Sequence, residues 1–408
     1  MSGPTTKNKK FDLIIWGSTG YTGKLVCEYI FKNYKRTNLK WALGGRNELK
    51  IKTLISSLNL KNIPYLIADS NNKNSLLEMT KTTRTICSTV GPYAKYGTLL
   101  VDACIESKTN YCDITGETQW IREIIDKYHA KAIKNKVKIV HACGFDSIPS
   151  DLGVFYAQNK MKESTGKYAS KICMRVISMK GGVSGGTIYS FLNILEQSRK
   201  NNSIRKILKN PYGLVPDKVS LQPEEKDLNK IVFDRTSKKW ISPFVMAAIN
   251  TRIVRRSNYL MDFKYGRVFI YNEALLLGRS IFSKFLGYLR LIPIYLISKI
   301  KNSTLNSLLK LVLPKPGQGP TGKSIKSGFF KFKFYVFDNN LKSIVSVYGV
   351  GCPGYGSTSK MLAESSICLA LDKLPNQNGV LTPSTGLGTA LLNRLEKKAD
   401  LKFKIQYL

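Results

Sequence analysis

Acidic residues are scarce: 27 Asp and Glu stand against 64 Lys and Arg in 408 residues, a formal net charge of +37. Such an imbalance raises nucleic acid or an anionic membrane as a partner. The lysines, however, are scattered through nearly every segment and often sit beside asparagine, as in Asn71-Asn72-Lys73-Asn74. That is the pattern of a solvated basic exterior, and no specific nucleic-acid partner is expected. Histidine is scarcer still, with two in the whole chain, and the eight cysteines, at 27, 87, 104, 112, 143, 173, 352 and 368, never fall into Cys-x-x-Cys spacing. A zinc site is therefore not expected, and no metal ligand is assigned.

Long hydrophobic runs are also missing. Met1 to Lys10 is polar, without the apolar core of a signal peptide, which predicts a reducing, cytoplasmic setting with free thiols and no disulfides. A spanning helix needs about 20 predominantly apolar residues. The nearest window, Ile281 to Ile300, holds three cations and Pro293. The wider stretch from Ala274 to Leu313 is rich in Leu, Ile, Phe and Tyr but is interrupted by Arg279, Lys284, Arg290, Lys299, Lys301 and Lys310. Two readings stand side by side: a segment lying in a membrane interface, or an internal pair of helices.

What the chain does have is enough apolar material, 43% of its residues, and enough length for two or three domains. Phe11 to Trp16 is a short apolar run ending at a glycine, and Lys24 to Tyr34 carries Leu25, Val26, Tyr29 and Ile30 at helical spacing. Strand-like runs follow at 39–43, 65–68, 85–90, 111–113 and 138–142, with helical patterns at 48–58, 98–107 and 118–135. This alternation predicts an α/β chain whose first domain, residues 1–150, is a doubly wound parallel sheet. Beyond it, alternating runs at 171–180 and 329–337 predict a second, α+β domain over 151–356 on a mixed or antiparallel sheet, with 210–230 as a polar excursion and 274–313 as its basic apolar segment. Residues 357–408 are expected to form C-terminal helices, the first packing back on the first domain.

The chemistry concentrates after the first strand, in Gly17-Ser18-Thr19-Gly20-Tyr21-Thr22-Gly23. A dinucleotide site needs backbone that approaches a pyrophosphate closely, with the amides of a helix start aimed at its charge. Glycine at these three positions serves the tight turn, the phosphate approach and the helix–sheet packing, as in Rossmann-type domains. The second strand ends in Gly45-Arg46-Asn47 where an NAD enzyme usually carries an acid. A guanidinium pairs instead with a 2′-phosphate, which favours NADP(H) over NAD(H). Asp69 is placed by topology at the adenine edge, and Val90-Gly91-Pro92, followed by Tyr93, beside the nicotinamide ribose.

Several stretches together, Trp16 to Gly23, Gly91 to Gly97, Tyr111 to Glu117, Cys143 to Gly153, Ser184 to Ser190, Pro316 to Pro320, Gly351 to Gly356 and Gly379 to Gly386, resemble the saccharopine dehydrogenase-like oxidoreductases, also called trans-acting enoyl reductases in bacteria. The resemblance covers most of the chain. It implies an NADP(H)-type Rossmann domain joined to a second α/β domain, and an oxidoreductase linked to lipid metabolism, membranes or lipid droplets. It does not imply saccharopine as substrate, because the carboxylate-binding groups of that enzyme do not map onto this sequence. The expected substrate is a lipid-type enoyl, imine or carbonyl compound, and a homodimer is an expected assembly. A second reading is a non-catalytic NADP(H)-binding protein docked on a lipid surface.

Hydride transfer belongs to the cofactor, so the protein must position the acceptor and supply a proton. Tyr93, His141, Asp146 and Ser184 are the polar groups expected nearest the nicotinamide. His141 is a candidate proton donor, and equally the structural hydrogen-bonding group that a strand end often carries. Asp146 is a candidate acid, and equally an Asx-turn or helix cap ahead of Pro149. Finally, Gly317 to Ser324 matches the phosphate-binding loop of nucleotide hydrolases, but prolines 314 and 316 precede it and a strand-like run follows, which contradicts that motif's strand–loop–helix setting.

Overall fold

Every residue of β1 (Phe11–Trp16) is buried, as a strand covered by helices on both faces requires. The computed structural model describes residues 9–181, 193–194, 196–217, 219, 226–299, 322, 325 and 327–408. After β1 the chain alternates through α1 (Tyr21–Tyr34), β2 (Trp41–Gly45), α2 (Glu48–Ser57), β3 (Tyr65–Ile67), α3 (Lys73–Lys81), β4 (Thr83–Ser88), α4 (Tyr93–Tyr96), α5 (Thr98–Glu106), β5 (Asn110–Asp113), α6 (Thr118–Lys134) and β6 (Lys138–Val140). Asn47 and Asn72 start α2 and α3 by accepting the Lys50 and Ser75 amides on their side chains. Helix α3 is absent from the sequence expectations. It is short and polar, and its apolar face reduces to Leu76 and Met79.

The next elements are α7 (Ile148–Thr165), β7 (Lys171–Lys180), α8 (Asn202–Lys209), β8 (Val232–Asp234), β9 (Lys239–Ser242), α9 (Ala247–Leu260), β10 (Ile270–Leu276), α10 (Ile281–Lys299), β11 (Phe329–Asp338) and β12 (Asn340–Val350). A π-helical turn at Pro353–Ser357 leads into α11 (Thr358–Leu371), β13 (Gly379–Leu381), α12 (Pro383–Gly386), α13 (Gly388–Lys398) and β14 (Leu401–Tyr407). The last strand departs from the helical expectation for 357–408, and its alternating Leu401-Lys402-Phe403-Lys404 pattern explains why.

The chain divides into two units, residues 1–148 with 354–400 and residues 149–353 with 401–408. In the first, all seven strands run parallel in the order β13-β6-β5-β4-β1-β2-β3. The chain winds one way from β1 to β3 and the other way from β4 to β6, so the order reverses between β1 and β4, where such sheets open a crevice at their carboxyl ends. Helix α11 joins this unit through its Glu364, which accepts the Tyr29 and Tyr34 hydroxyls of α1 at 2.7 and 2.8 Å and the guanidinium of Arg394 at 3.2 Å.

The second unit is a mixed sheet, β14-β12-β11-β7-β10-β9-β8, in which only β7 and β10 are parallel neighbours. Phe330, Phe332, Phe334 and Val336 of β11 fill its inner face, and α7 lies close enough on it that a Cβ at Gly153 would meet the Phe334 ring at 2.4 Å. The start of the polar excursion is tied down by three buried arginines of α9. Arg252, Arg255 and Arg256 donate to the carbonyls of Leu208, Pro211 and Leu214 at 3.0, 3.2 and 2.7 Å. An irregular segment leaves carbonyls unpaired, and guanidinium forks satisfy them.

Candidate functional site

At the end of β1 the chain turns at Gly17 with φ +83°, a conformation that costs a side chain dearly. A Cβ there would also meet Val90 Cγ2 at 2.6 Å. The loop is pinned from both sides. The Gly17 and Ser18 amides and the buried Ser18 hydroxyl all donate to the Gly44 carbonyl of β2, at 3.0, 3.2 and 3.2 Å, while the Thr89 hydroxyl donates to the carbonyls of Trp16 and Gly17 at 3.1 Å. Gly23 packs α1 onto this loop so tightly that its Cβ would sit 2.2 Å from the Gly17 carbonyl oxygen.

Gly20 differs from its two partners. A Cβ there would meet only the Gly17 oxygen, at 3.2 Å, and both Thr19 and Gly20 are exposed. The turn therefore leaves room beside Gly20, in front of an α1 start that has neither a side-chain cap nor an acid in its first turn. Amides of Thr22 and Gly23 have no carbonyl one turn behind them within the helix. An open, uncapped helix start with no acid in its first turn fits a pyrophosphate. Half-buried Tyr21 packs edge-on against Tyr355, ring centroids 4.6 Å apart.

Arg46 follows β2 and is exposed. Asn47 spends its carbonyl oxygen capping α2 on Lys50 N at 2.9 Å, which leaves its amide nitrogen for other work. Asp69 is exposed and holds its own turn through the Asn71 amide at 2.8 Å. Val90 and Pro92 are half-buried and Gly91 exposed, in the segment between β4 and α4.

Three of the four catalytic candidates, Tyr93, His141 and Asp146, fall on described residues, and their surroundings differ. Tyr93 is buried, its hydroxyl donates inward to the Ser88 carbonyl at 3.1 Å, and its ring stacks on Trp120 at 5.5 Å. Burial, then the neighbouring Asp113, pushes the phenol well above its ordinary pKa. His141 is fully buried against Trp120 and Tyr111, with Nδ1 2.8 Å from Asp113 Oδ2. Both lie inside the carboxyl edge of the sheet, and the His141 Nε2 is buried with no hydrogen-bond partner among the described residues. Ser184 lies outside the described residues, as does the hydrolase-like loop apart from Gly322.

Asp146 stands apart. It sits in the turn between β6 and α7, half-buried, with Oδ2 3.6 Å from where a Cβ of Gly116 would be. Its carboxyl has no hydrogen-bond partner among the described residues, and the turn is closed instead by the Gly144 carbonyl, which accepts the Ser147 and Ile148 amides at 3.3 and 2.9 Å. The helix-cap reading is thereby set aside. Burial without a compensating partner raises the Asp146 pKa to about 6.

Two residues of this edge escaped the sequence reading. Asp113 is fully buried and accepts the Tyr111 hydroxyl at 2.9 Å and the Thr115 and Ala142 amides at 3.1 and 3.2 Å, besides holding His141. Glu117, equally buried, accepts the Tyr93 and Ala94 amides at 2.9 and 3.0 Å and so fixes the start of α4. Both lie in Tyr111 to Glu117, where two carboxylates in a short, otherwise uncharged stretch were the available signal.

Residues 13–140 match the family profile described as the saccharopine dehydrogenase NADP binding domain. A Mycobacterium tuberculosis protein provisionally named a trans-acting enoyl reductase is 35% identical over 420 residues, spanning 96% of each chain. A Mycobacterium bovis protein named a trans-acting enoyl reductase is 32% identical over 403 residues, covering 95% of this chain and 96% of its own. Among solved structures, the saccharopine dehydrogenase (L-Glu forming) of Saccharomyces cerevisiae superposes over 97% of this chain and 99% of its own, with a TM-score of 0.54 at 12% identity, a likeness of fold.

Proposed function

Since this chain belongs to the saccharopine dehydrogenase-like family that includes the mycobacterial trans-acting enoyl reductases, and is an NADP(H)-dependent oxidoreductase, we propose that it reduces an activated double bond of a lipid-type substrate. The relatives' names favour an enoyl group over an imine or a carbonyl. The observation that carries the reading is the open space at Gly20 beside an uncapped helix start. The loop from Gly17 to Gly23 holds the pyrophosphate, Arg46 takes the 2′-phosphate, Asn47 and Asp69 flank the adenosine, and Val90, Gly91 and Pro92 border the nicotinamide ribose. NADPH, when bound, supplies the hydride. Asp146 holds the proton: its carboxyl delivers it to the carbon or heteroatom left electron-rich by reduction, and is reprotonated from solvent.

The test is cofactor discrimination by Arg46→Ala. Its Kd for NADPH is expected to rise roughly 10- to 100-fold, while that for NADH changes less than about threefold, because a charge-assisted contact to the 2′-phosphate contributes about 1.5–3 kcal/mol. Equal loss for both cofactors in a calorimetric titration would remove Arg46 from the site.

The lipid character of the substrate is supported by α10. Ile281, Phe282, Phe285, Tyr288, Leu289 and Ile292 are 79, 66, 58, 47, 46 and 46% exposed, with Lys284 and Arg290 among them. Among the described residues no helix is long and apolar enough to cross a membrane. A helix of this composition lies in the headgroup region of an anionic lipid surface, a membrane or a lipid droplet, on the cytoplasmic side. The double variant Phe282→Glu/Phe285→Glu is expected to reduce co-sedimentation with phosphatidylserine vesicles at least tenfold, since each ring buries some 150–250 Å². Undiminished sedimentation would return α10 to the interior reading.

A further inference from the structure

The outer face of the second sheet carries a charge pattern that neither the cofactor site nor α10 uses. On β11 the outward positions are Phe329, Lys331, Lys333, Tyr335 and Phe337; on β12 they are Ile344, Ser346, Tyr348 and Val350, with exposed Asn340 and Lys342 at its start beside the bulge; on the edge strand β14 they are Lys402, Lys404 and Gln406. Register places Lys331, Tyr348 and Lys402 in one cross-strand row and Lys333, Ser346 and Lys404 in the next. Strand spacing and rise then set the two lysines of each strand roughly 7 Å apart and the two lysine pairs about 10 Å apart. No outward position of these three strands carries an acid up to Phe337. None of the four lysines has an ion-pair partner among the described residues, and Lys331, Lys402 and Lys404 are exposed.

Lysine on an edge strand commonly guards against strand addition. That accounts for Lys402 and Lys404 but not for Lys331 and Lys333, because β11 lies inside the sheet between β12 and β7. The four cations instead form two rails along a floor made by β12, where Val350, Tyr348 and Ile344 are apolar or aromatic and Tyr348 and Val350 are 37 and 38% exposed. Phe329 borders that floor, its ring 6.4 Å from that of Tyr348.

We infer that this face docks an amphipathic, acidic helix of a partner protein, its apolar stripe on β12 and carboxylates on its two shoulders against the lysine rails. The fit is one of width, period and charge. A helix with its side chains is about 10–12 Å across, and its i, i+4 carboxylates repeat at about 6 Å, close to the lysine spacing along each rail. A second copy of this chain is disfavoured there, because lysine rails would face lysine rails. A nucleic-acid strand is the competing occupant, since Phe329, Tyr335, Phe337 and Tyr348 offer rings beside the lysines, and the thymidine arm of the test distinguishes it.

The experiment measures binding of the full chain to a fluorescent 21-residue helical peptide with leucines on one face and glutamates on both shoulders. The quadruple reversal K331E/K333E/K402E/K404E is expected to weaken binding at least ~30-fold and Tyr348→Ala about tenfold, as for central and flanking groups of a docked interface. Reversal of Lys32, Lys61, Lys127 and Lys134, exposed in the other unit, is expected to change it less than about threefold. A scrambled peptide of the same composition should bind roughly tenfold more weakly. NADPH affinity, unchanged in every variant, reports an intact fold and keeps this test separate from the oxidoreductase reading. The proposal is overturned if the scrambled peptide binds equally well, if the control reversal matches the quadruple one, or if the quadruple variant loses more affinity for a thymidine 20-mer or for phosphatidylserine vesicles than for the peptide.

Discussion

Gly23→Ala abolishes measurable NADPH binding, at least a hundredfold loss, and lowers the unfolding temperature, whereas Gly20→Ala loses the cofactor and keeps the fold. The contrast follows from what each added methyl meets. At Gly23 it lies 2.2 Å from a backbone oxygen and 2.9 Å from the Ser18 Cα, and neither yields cheaply, because the loop is fastened to Gly44 and to Thr89. Overpacking of this kind costs about 1–3 kcal/mol, more where backbone must shift. At Gly20 the backbone sits at φ −73°, ψ 163°, which alanine adopts readily, so stability rises or falls by no more than about 1 kcal/mol. Its methyl instead projects into the space reserved for the phosphates. Scanning calorimetry with and without NADPH separates the two outcomes, and a Gly20→Ala protein that binds NADPH like wild type would refute the proposed cradle.

Asp146→Asn is expected to lower kcat about a hundredfold and to remove a pH limb. A positioned general acid contributes roughly 10²–10⁴ in rate. With its pKa raised to about 6, the Asp146 carboxyl is the proton-bearing species below that pH, so wild-type kcat falls as pH rises from 6 to 8, and the asparagine variant, inert to pH, does not follow. Stability falls in the same direction. A carboxyl whose folded pKa exceeds its unfolded value near 3.8 favours folding while protonated, and that contribution disappears as pH rises through 6. Relative to wild type, Asp146→Asn therefore unfolds at higher temperature at pH 8, by the equivalent of at most ~3 kcal/mol, and at nearly the same temperature at pH 4. A variant with more than half the wild-type kcat, or a wild-type profile flat from pH 5 to 8, would remove Asp146 from the chemistry.

The first domain was legible because its signals are local. Phe11 to Trp16 is apolar throughout, the glycines follow at once, and the helical spacing of Val26 and Ile30 needs no distant partner to be seen. The parallel sheet and the NADP preference followed from that order. Asn47 and Asp69 were placed by the same logic, yet their side chains are engaged in turns and caps, which a strand-end position does not reveal. Short or polar elements escaped: α3 has two strongly buried apolar anchors, and β13 is three residues long, its pairing with β6 supplied by a segment far along the chain.

The sequence alone determined the alternation of strands and helices, the glycine turn and the arginine after the second strand, since each depends on residues within a few positions of one another. The tertiary structure decided which polar groups are open to chemistry. Tyr93, His141 and Asp146 read alike as polar residues at strand ends, but only packing shows that Asp113 holds His141 inside, that the Tyr93 hydroxyl is spent on Ser88, and that Asp146 has no hydrogen-bond partner among the described residues. Desolvation and hydrogen bonding are sums over neighbours far away in sequence, and so are fixed only when the chain is folded.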